Sequence, residues 1–472
     1  MFCQSLRSSD EQPPNLSLRA RPPEGDESSG QAPLTHEGSQ ELSHALAAVL
    51  RRSALAALLA CGAVHAHAAP LTLDEALRLA QQRSRQLPAQ DAAAAAARHL
   101  GGAAGQQPDP VLKSGLNSLP VSGADRFSVV RDSFTMLSVG LSQELTHSAK
   151  LKARTARFER EAEVAEAGRE LALANLQRDT SLAWLERHYQ ERMRDELVMQ
   201  RDEAKLLIDA ADAAYRGGRG AQADVFVARS GVAQTDDRIA QVERQIATAT
   251  TQLTRWIGVA AVETLGSPPA LDSVHLRTED LEAQLAHHPQ IAVMRKLEAM
   301  AQAEVELAQV NRQTDVSVEL TYNQRGRSYS NMVSLNLSMP LQWDQQNRQD
   351  RELAAKLARV EQERAEREEA TRAHVAEARA MLQEWRSNRD RLTRYDDSML
   401  PLAAERTRAS LTAYRSGSGS LTAVLDARRG EIDTRIERLR LEMDAARLWA
   451  RLKHLVPMGH DTSTAARTTA GN

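Results

Sequence analysis

The segment Tyr215-Arg-Gly-Gly-Arg-Gly-Ala-Gln-Ala-Asp-Val-Phe-Val-Ala-Arg229 occurs again, in altered form, as Tyr414-Arg-Ser-Gly-Ser-Gly-Ser-Leu-Thr-Ala-Val-Leu-Asp-Ala-Arg428. Two glycines stand at matching places in each copy, Gly218 and Gly220 in the first and Gly417 and Gly419 in the second. Glycine readily adopts left-handed backbone, so it can end a helix and reverse the chain. Because each copy stands between two helical patterns, we predict two tips of helical hairpins within a duplicated unit.

The helical patterns beside the tips are long. The pattern from Ser148 to Ala213 predicts one helix of roughly 100 Å, at about 1.5 Å per residue. After the first tip, apolar residues recur at steps of three and four from Val225 to Trp256, and a similar series runs from Leu425 to Ala446. This spacing is the heptad pattern of coiled-coil packing. An earlier helix, capped by Thr72, is predicted to continue to about Leu100, where a run of glycines begins.

Four short segments are predicted to be strands. Val316–Asn323 and Met332–Met339 alternate apolar and polar residues, and Pro110–Asn117 and Phe134–Leu145 are their counterparts in the first half. A period of two gives each strand one apolar and one polar face. The usual interpretation is a soluble, half-buried pair of hairpins. A tilted strand of about nine to eleven residues also crosses a bilayer, but an open sheet edge cannot face lipid. In that case several chains must share one barrel.

The composition favours long helices over a large globular core. Aromatic residues make up 3% of the 472 residues, hydrophobic residues 42% and charged residues 26%, which suits helices packed in seams. The net charge of −3 argues against a nucleic-acid binder, which carries a basic excess. Both cysteines, Cys3 and Cys61, precede the main body, so no disulfide framework is predicted. No apolar run of roughly 18 residues follows residue 70, so no membrane-spanning helix is predicted.

The two ends of the chain are predicted to lie outside the folded body. Residues 1–48 are polar and indicate a disordered extension or a mis-assigned start, and residues 49–68 have the basic, apolar and small-residue parts of a signal peptide. An alternative is lipidation of Cys61 within Leu58-Leu-Ala-Cys-Gly62. Either signal takes the chain out of the cytoplasm. The body then divides into a first repeat, 69–270, and a second, 271–456, before a disordered tail, 457–472.

No catalytic set is present in the sequence. It lacks Gly-x-Ser-x-Gly, a phosphate-binding glycine loop and His-Glu-x-x-His, so we predict neither an enzyme nor a cofactor. His287 and His288 could contact a metal, but they precede Pro289 in a predicted turn and lack further ligands, so no metal site is predicted. Acid–base pairs at helical spacing, such as Glu363 with Arg367, indicate solvated helix faces.

The order of these elements resembles the TolC-like outer-membrane efflux ducts over about residues 71–456. The matching motifs are Leu73-Asp-Glu-Ala-Leu77, the Ser-x-x-Leu-Ser segments at Ser138 and Ser334, the Tyr-x-x-Gly tips, and Val424-Leu-Asp-Ala427. The resemblance implies a mainly α fold with a small β part. Three chains would combine four transmembrane strands each into a shared twelve-stranded β-barrel, and their helices into a long α-helical barrel.

The same resemblance implies a passive duct in the cell outer membrane, with its helical tunnel in the periplasm. Its partners would be two further copies in a homotrimer, a periplasmic adaptor (membrane fusion protein), an inner-membrane pump of the resistance-nodulation-division (RND) type, and outer-membrane lipid, with no nucleic acid. Two alternatives stay open: a drug-efflux or type I secretion outlet, and a structural coiled-coil protein of the periplasm.

A narrower resemblance concerns the heavy-metal branch of that family. It is carried by Pro108-Asp109-Pro110, Asn117-Ser-Leu-Pro120 and the segment Asp125–Asp132, and it implies heavy-metal cations as cargo. Two departures stand out. Glu144 occupies the place of Pro340 in the second repeat, and Ala149-Lys-Leu-Lys152 replaces the usual Gly-Lys-Arg start of the long helix.

The resemblance also implies roles at the tips. Gly218, Gly220, Gly417 and Gly419 would form the adaptor-docking tips. A periplasmic gate closed by a Tyr, ion pairs and rings of Asp would comprise Tyr414, Asp426, Asp224, Arg216 and Arg415. The usual first ring position is Ala423 here, and Asp224 at the equivalent place of the first repeat is the candidate for the missing acid. The alternative is that Asp224 and Asp426 are helix-start acids stabilised by the helix dipole.

Overall fold

The structure is a computed structural model, and it describes residues 70–277 and 279–455. All of them fall within one compact unit, Ala68–Asn472. The predictions for the extension 1–48, the signal peptide 49–68, lipidation of Cys61 and the tail 457–472 concern residues outside this described part.

Two helices open the described chain where the sequence predicts one. Helix α1 spans Leu73–Arg83, and the Thr72 hydroxyl accepts a hydrogen bond from the Glu75 amide at 3.3 Å, as predicted. Helix α2 spans Gln86–Ala104 and passes through Gly101 and Gly102 without a break. The predicted end near Leu100 is therefore wrong. Glycine is favoured here because α2 packs closely on the next long helix: a Cβ at Gly101 would lie 3.2 Å from Cβ of Phe158.

Four antiparallel strands form one sheet in the order β1-β2-β3-β4. Their bounds are Val111–Asn117, Met136–Leu145, Val316–Arg325 and Met332–Ser338, close to the four predicted segments. All ten residues of β2 pair with β3, so the sheet joins the two halves of the chain. The predicted class, mainly α with a small β part, is confirmed. Formation of a barrel from three chains stays a prediction.

The longest helices lead into and out of the two tips. Helix α3 spans Ser148–Arg216, 69 residues, and α4 spans Gln222–Ile257. A 3₁₀ turn (Gly258–Val262), the short helix α5 (Leu281–Leu285) and α6 (Pro289–Val310) follow. In the second half α7 (Gln349–Arg394), a π-helical segment (Tyr395–Met399), α8 (Leu400–Arg415) and α9 (Leu421–Lys453) complete the chain. None of the helices in the described ranges has the length and apolar character that a membrane crossing requires.

The core lies where the middle of α3 meets the chain's first described residues and the segment between the repeats. Trp184, Leu185 and Tyr189 of α3 are fully buried. The Trp184 indole donates to the Leu71 carbonyl at 3.1 Å, and Leu71 forms a parallel bridge with Leu265. The predicted heptad residues of α4 from Val225 to Ile239 are buried. In α9 the buried residues begin with Leu421 and Val424, whereas Leu425, the first residue of the predicted series, is only half-buried.

Candidate functional sites

One face of the sheet is apolar and exposed from edge to edge. The strand register places Leu112, Leu141, Leu320 and Leu335 side by side in one row across all four strands. These leucines are 51–72% exposed. Soluble monomers rarely expose a contiguous apolar surface of this kind without a partner to cover it. The row therefore marks a surface that water does not normally cover.

The opposite face is polar and internally hydrogen-bonded. Asn117 donates to the Ser138 hydroxyl at 2.6 Å, Ser138 donates to the Asn323 amide oxygen at 2.6 Å, and Asn323 donates to the Ser334 hydroxyl at 3.1 Å. One chain of side-chain hydrogen bonds thus crosses β1, β2, β3 and β4. Ser138 and Asn323, in the middle of this chain of hydrogen bonds, are both buried.

The two sheet edges have no partner strand within the described residues. Strand β1 pairs only with β2, and β4 pairs only with β3. An edge strand presents unpaired N–H and C=O groups that form a template for another strand. The sheet therefore has an exposed apolar face and two edges able to pair, which together favour assembly in an apolar medium.

The two glycine segments are tips of helical hairpins, as predicted. Gly218 (φ +68°) and Gly417 (φ +75°) adopt left-handed backbone, and their amides donate to the Tyr215 and Tyr414 carbonyls, each at 3.0 Å. The other two glycines serve close approach. A Cβ at Gly220 would lie 3.1 Å from Ala214, and one at Gly419 would lie 3.0 Å from Ala413.

A small apolar cluster joins the tips of the two repeats. Its buried members are Ala211 of α3, Val225 of α4 and Leu421 of α9, and Tyr414 and Leu425 pack against it half-buried. Tyr215, the counterpart of Tyr414, is instead 45% exposed and outside the cluster. The two matching tyrosines therefore have different environments, and Tyr414 is the one held between the hairpins.

The acids at the tips also differ in their surroundings. A carboxylate oxygen of Asp224 accepts a hydrogen bond from the Ala221 amide at 3.2 Å, at the start of α4. Asp426 is exposed and forms no ion pair within the residues that the structure describes. The contact of Asp224 supports the helix-start interpretation for that residue.

The two arginines assigned to the gate are both exposed at the tips. Arg216 forms an ion pair with Asp212 one turn earlier on α3, and Arg415 has no ion-pair partner in the described part of the chain. A different arginine joins the hairpins: Arg428, the last residue of the repeated segment, contacts Glu203 of α3 at 3.0 Å. The sequence repeat contains Arg428 but gives no sign of Glu203.

The two histidines of the predicted pair lie in different environments. His287 is exposed, whereas His288 is 7% exposed and its Nδ1 accepts a hydrogen bond from the Gln290 amide at 3.1 Å, which caps α6. His288 stacks on His374 with 4.4 Å between ring centroids. Burial, together with His374 and Arg178 nearby, lowers the pKa of His288 to about 4. Across residues 70–277 and 279–455 no group of three or more metal-binding side chains is brought together.

Sequence comparison matches part of the second half to one family model. The family model described as outer membrane efflux protein matches residues 281–456. That range begins at α5 and includes β3, β4, the second tip and α9. No curated protein matches the chain significantly.

Structural comparison extends the likeness to most of the chain. The outer membrane protein VceC from Vibrio cholerae is 17% identical with a TM-score of 0.68, over 81% of this chain and 95% of that one. CusC, whose crystal structures concern conformational changes during folding and transmembrane channel formation, is 16% identical with a TM-score of 0.68. The match covers 82% of this chain and 92% of CusC. The CmeC outer membrane channel of Campylobacter jejuni is 12% identical with a TM-score of 0.68, over 84% of this chain and 88% of that one. At these identities the likeness concerns the fold, which the chain shares with known outer-membrane channels.

Proposed function

We propose that the protein is the exit duct of a three-part export system. In this proposal a homotrimer without enzymatic activity or cofactor spans the outer membrane through its strands and extends into the periplasm as a helical tunnel. It receives cargo from an inner-membrane RND pump through a periplasmic adaptor. The observation that carries the proposal is the sheet, with a row of exposed leucines on one face and a hydrogen-bonded polar chain on the other.

Lipid is the medium that fits the exposed leucine face. The register keeps apolar residues on most of that face in neighbouring strands, which suits it to hydrocarbon, and its polar members are Ser114, Gln143 and Gln324. In a membrane barrel, strands alternate between lipid-facing apolar and lumen-facing polar residues. The polar face, with its chain of hydrogen bonds, then lines a water-filled path.

Three copies would close the sheet. Four strands with two open edges cannot stand alone in lipid, because unpaired backbone groups there are costly. If the edge of β1 in one copy pairs with the edge of β4 in the next, a closed barrel results without any exposed edge. The number three follows the resemblance of the sequence to TolC-like ducts, and it is supported by the match of residues 281–456 to the outer membrane efflux family.

The tips are assigned to docking and gating. The four glycines create sharp hairpin ends that fit the helical hairpin of an adaptor. Tyr414, held between the two hairpins of one copy, is proposed to form the constriction together with Asp426, Asp224, Arg216 and Arg415 and with the equivalent residues of two further copies.

Heavy-metal cations are the proposed cargo. This part rests on the motifs Pro108-Asp109-Pro110, Asn117-Ser-Leu-Pro120 and Asp125–Asp132. Removal of the protein should sensitise cells to copper and silver or to cobalt, zinc and cadmium. Greater sensitivity to organic antibiotics with unchanged metal tolerance would favour a drug-efflux outlet instead.

Membrane fractionation tests the duct itself. The protein should be found in the outer membrane as a trimer that survives mild detergent. Recovery in the soluble periplasmic fraction would favour the structural coiled-coil protein and overturn the proposal.

A matched pair of variants tests the orientation of the strands. Leu335→Arg should impair trimer assembly, because an arginine facing lipid near the bilayer midplane costs about 2–4 kcal/mol. Asn336→Arg places the same side chain one residue later, on the polar face, and should assemble normally. Trimer yield in outer-membrane fractions measures both. Equal tolerance of arginine at the two positions would contradict the barrel assignment.

A further inference from the structure

An ion pair crosses the polar face of the sheet between strands that are not neighbours. Lys113 Nζ of β1 lies 2.7 Å from Glu319 Oε2 of β3, although β2 runs between them. The register places Lys113 beside Gly140 and Glu319 beside Ser142. The lysine side chain therefore passes over β2 at its glycine.

Gly140 makes this crossing possible. A Cβ at this position would lie 2.5 Å from the Thr321 hydroxyl and 3.1 Å from the Leu320 carbonyl oxygen. The same hydroxyl donates to the other carboxylate oxygen of Glu319 at 3.1 Å. Glycine in a strand interior often marks a close approach of other groups. Here it leaves room for the threonine that orients Glu319 and for the lysine that pairs with it.

The pair is the only charge near the middle of the sheet. The four strands, which the structure describes completely, contain four charged residues, Lys113, Glu144, Glu319 and Arg325. Glu144 pairs in register with Ser317 near one end of the sheet, and Arg325 pairs with Met136 at the other. In between, the positive charge of Lys113 and the negative charge of Glu319 cancel.

We propose that Lys113 and Glu319 together set the ionic selectivity of the strand-lined part of the path. The inference rests on the proposed duct, in which the polar face lines the lumen. With both residues present this level of the wall carries no net charge. Loss of either one leaves an uncompensated charge in every copy, and fixed charges of one sign in a confined path concentrate the opposite ion.

Planar-bilayer recordings of purified trimers under a KCl gradient test this assignment. The recordings use an Asp224→Asn, Asp426→Asn background, so that carboxylates at the tips do not mask the effect. Lys113→Gln should raise the ratio of K⁺ to Cl⁻ permeability by about twofold or more, and Glu319→Gln should lower it by a similar factor. The Lys113→Gln, Glu319→Gln double variant should return to the background ratio, as should Lys113→Arg, which keeps the charge.

The controls separate selectivity from stability. Arg98→Gln breaks another exposed ion pair, with Glu166, between α2 and α3 outside the sheet, and it should leave the ratio unchanged. Unchanged ratios in both single sheet variants, with normal single-channel conductance, would overturn the inference and leave the duct intact. Absence of channels in the unmodified protein would overturn the duct and the inference with it. If Lys113→Gln does not assemble, the direction of the shift in Glu319→Gln decides.

Discussion

Asp224 and Ser420 begin the two heptad helices by complementary hydrogen bonds. In the first repeat Asp224 accepts from the amide three residues before it, at Ala221. In the second repeat Ser420 accepts from the amide three residues after it, at Ala423. Each repeat keeps one half of the reciprocal pair known as a capping box. Asp224 therefore has a structural role at the helix start, whereas Asp426 has no such contact within the described chain.

Replacing Asp224 and Asp426 by asparagine removes the negative charge but keeps a side-chain oxygen that can accept a capping hydrogen bond. In the proposed trimer three copies of Asp426 would meet at the constriction, and carboxylates held close together attract multivalent cations strongly. Added divalent or trivalent cations should then block single-channel current, and Asp426→Asn should relieve that block. Adding Asp224→Asn should relieve it further if both acids face the constriction. The Asn amide oxygen still accepts the Ala221 hydrogen bond, so helix content should not change. Planar-bilayer conductance and circular dichroism measure the two effects.

A surface acid elsewhere on α9 supplies the control. Glu437 lies 3.6 Å from Arg440 on the exposed side of α9, and Glu437→Gln should leave the cation block as it is. Unchanged block in the Asp224→Asn, Asp426→Asn variant would reject the acidic gate and leave both residues as helix-start acids.

The sequence predicts the role of a residue when its partner lies nearby along the chain, and fails when the partner is distant in sequence. The predicted cap at Thr72 is local and is confirmed. The ion pair of Lys113 and Glu319 joins residues 206 positions apart, and only the strand register reveals it. Gly140 was the available signal, as a glycine within an alternating strand. The role of His288 was missed because its partner, His374, comes from a different helix.

At the scale of elements, the second tip hairpin contains a break that the first one lacks. Helices α7 and α8 are joined by π-helical residues Tyr395–Met399, where the Leu400 amide donates to the Tyr395 carbonyl. Pro401 follows directly; it has no amide hydrogen, and its ring disfavours a regular α-helical turn before it. The break is fixed to α9, because Arg438 donates to both carboxylate oxygens of Asp396, at 2.8 and 3.2 Å.

Loss of this contact should loosen α8. In α8, which the structure describes in full, Thr407 is the one buried residue, and segments with few buried contacts open most readily. Arg438→Met should therefore increase amide hydrogen exchange in Leu400–Arg415 several-fold without a comparable change in α7. Arg440→Met, on the exposed side of the same helix, is the matched control and should leave exchange unchanged. Equal exchange in α8 of both variants would contradict this role of the ion pair.

The helices and strands could be predicted where the periodic spacing of apolar residues determines the secondary structure. The long α3, the heptad series of α4 and the four strands follow patterns that extend over many residues, and the structure confirms them. Local signals were less reliable where tertiary packing opposed them. The glycine at position 101 predicted a helix end, but α2 continues through it because it packs closely on α3. Glu363 was predicted to be solvated, yet it is buried and pairs with Arg359, while Arg367 instead binds Glu298 of α6. The tertiary fold determines which face of a helix its neighbour covers, and the spacing of charges along one helix does not predict that face.

At the scale of the whole molecule, buried histidines predict how stability depends on pH. Burial is the main reason that the pKa values of His188, His288 and His454 are lowered from 6.5 to about 4. Between about pH 4 and 6.5 the unfolded chain therefore binds more protons than the folded one. Their contribution to stability is fully present above pH 6.5 and is lost as the pH falls towards 4.

A single substitution tests this dependence. Asparagine at position 288 can still accept the hydrogen bond that caps α6 but does not titrate. His288→Asn should therefore flatten the fall in melting temperature between pH 6.5 and 4, measured at one scan rate. The exposed neighbour provides the control, and His287→Asn should keep the original slope. The same slope in all three proteins would contradict the role of His288.

The proposed docking at the tips would be a property of the assembled molecule, and its test requires substitutions that leave the tip backbone as it is. A bulky residue at Gly417 would force side-chain strain on left-handed backbone, and one at Gly220 would collide with Ala214, so either would distort the tip itself. Arg219 and Ser418 are exposed at the two tips and are not among the residues with positive φ. Tryptophan at these positions should block an adaptor sterically. Ser418→Trp removes the exposed hydrogen bonds of the Ser418 hydroxyl with the Ala413 carbonyl and with Ser416, but the Ser418 amide can still donate to the Ala413 carbonyl.

If the proposed function is right, Arg219→Trp combined with Ser418→Trp should abolish the proposed metal export and leave the proposed trimers in the outer membrane. Above the tips the helices are held by heptad packing, and neither substitution replaces a residue of the cluster of Ala211, Val225 and Leu421. Val259→Trp serves as the control, because Val259 is 89% exposed in the turn between the repeats. Cross-linking to the adaptor and metal tolerance of cells measure the outcome. Normal export by the double tip variant would show that the adaptor binds elsewhere on the helices.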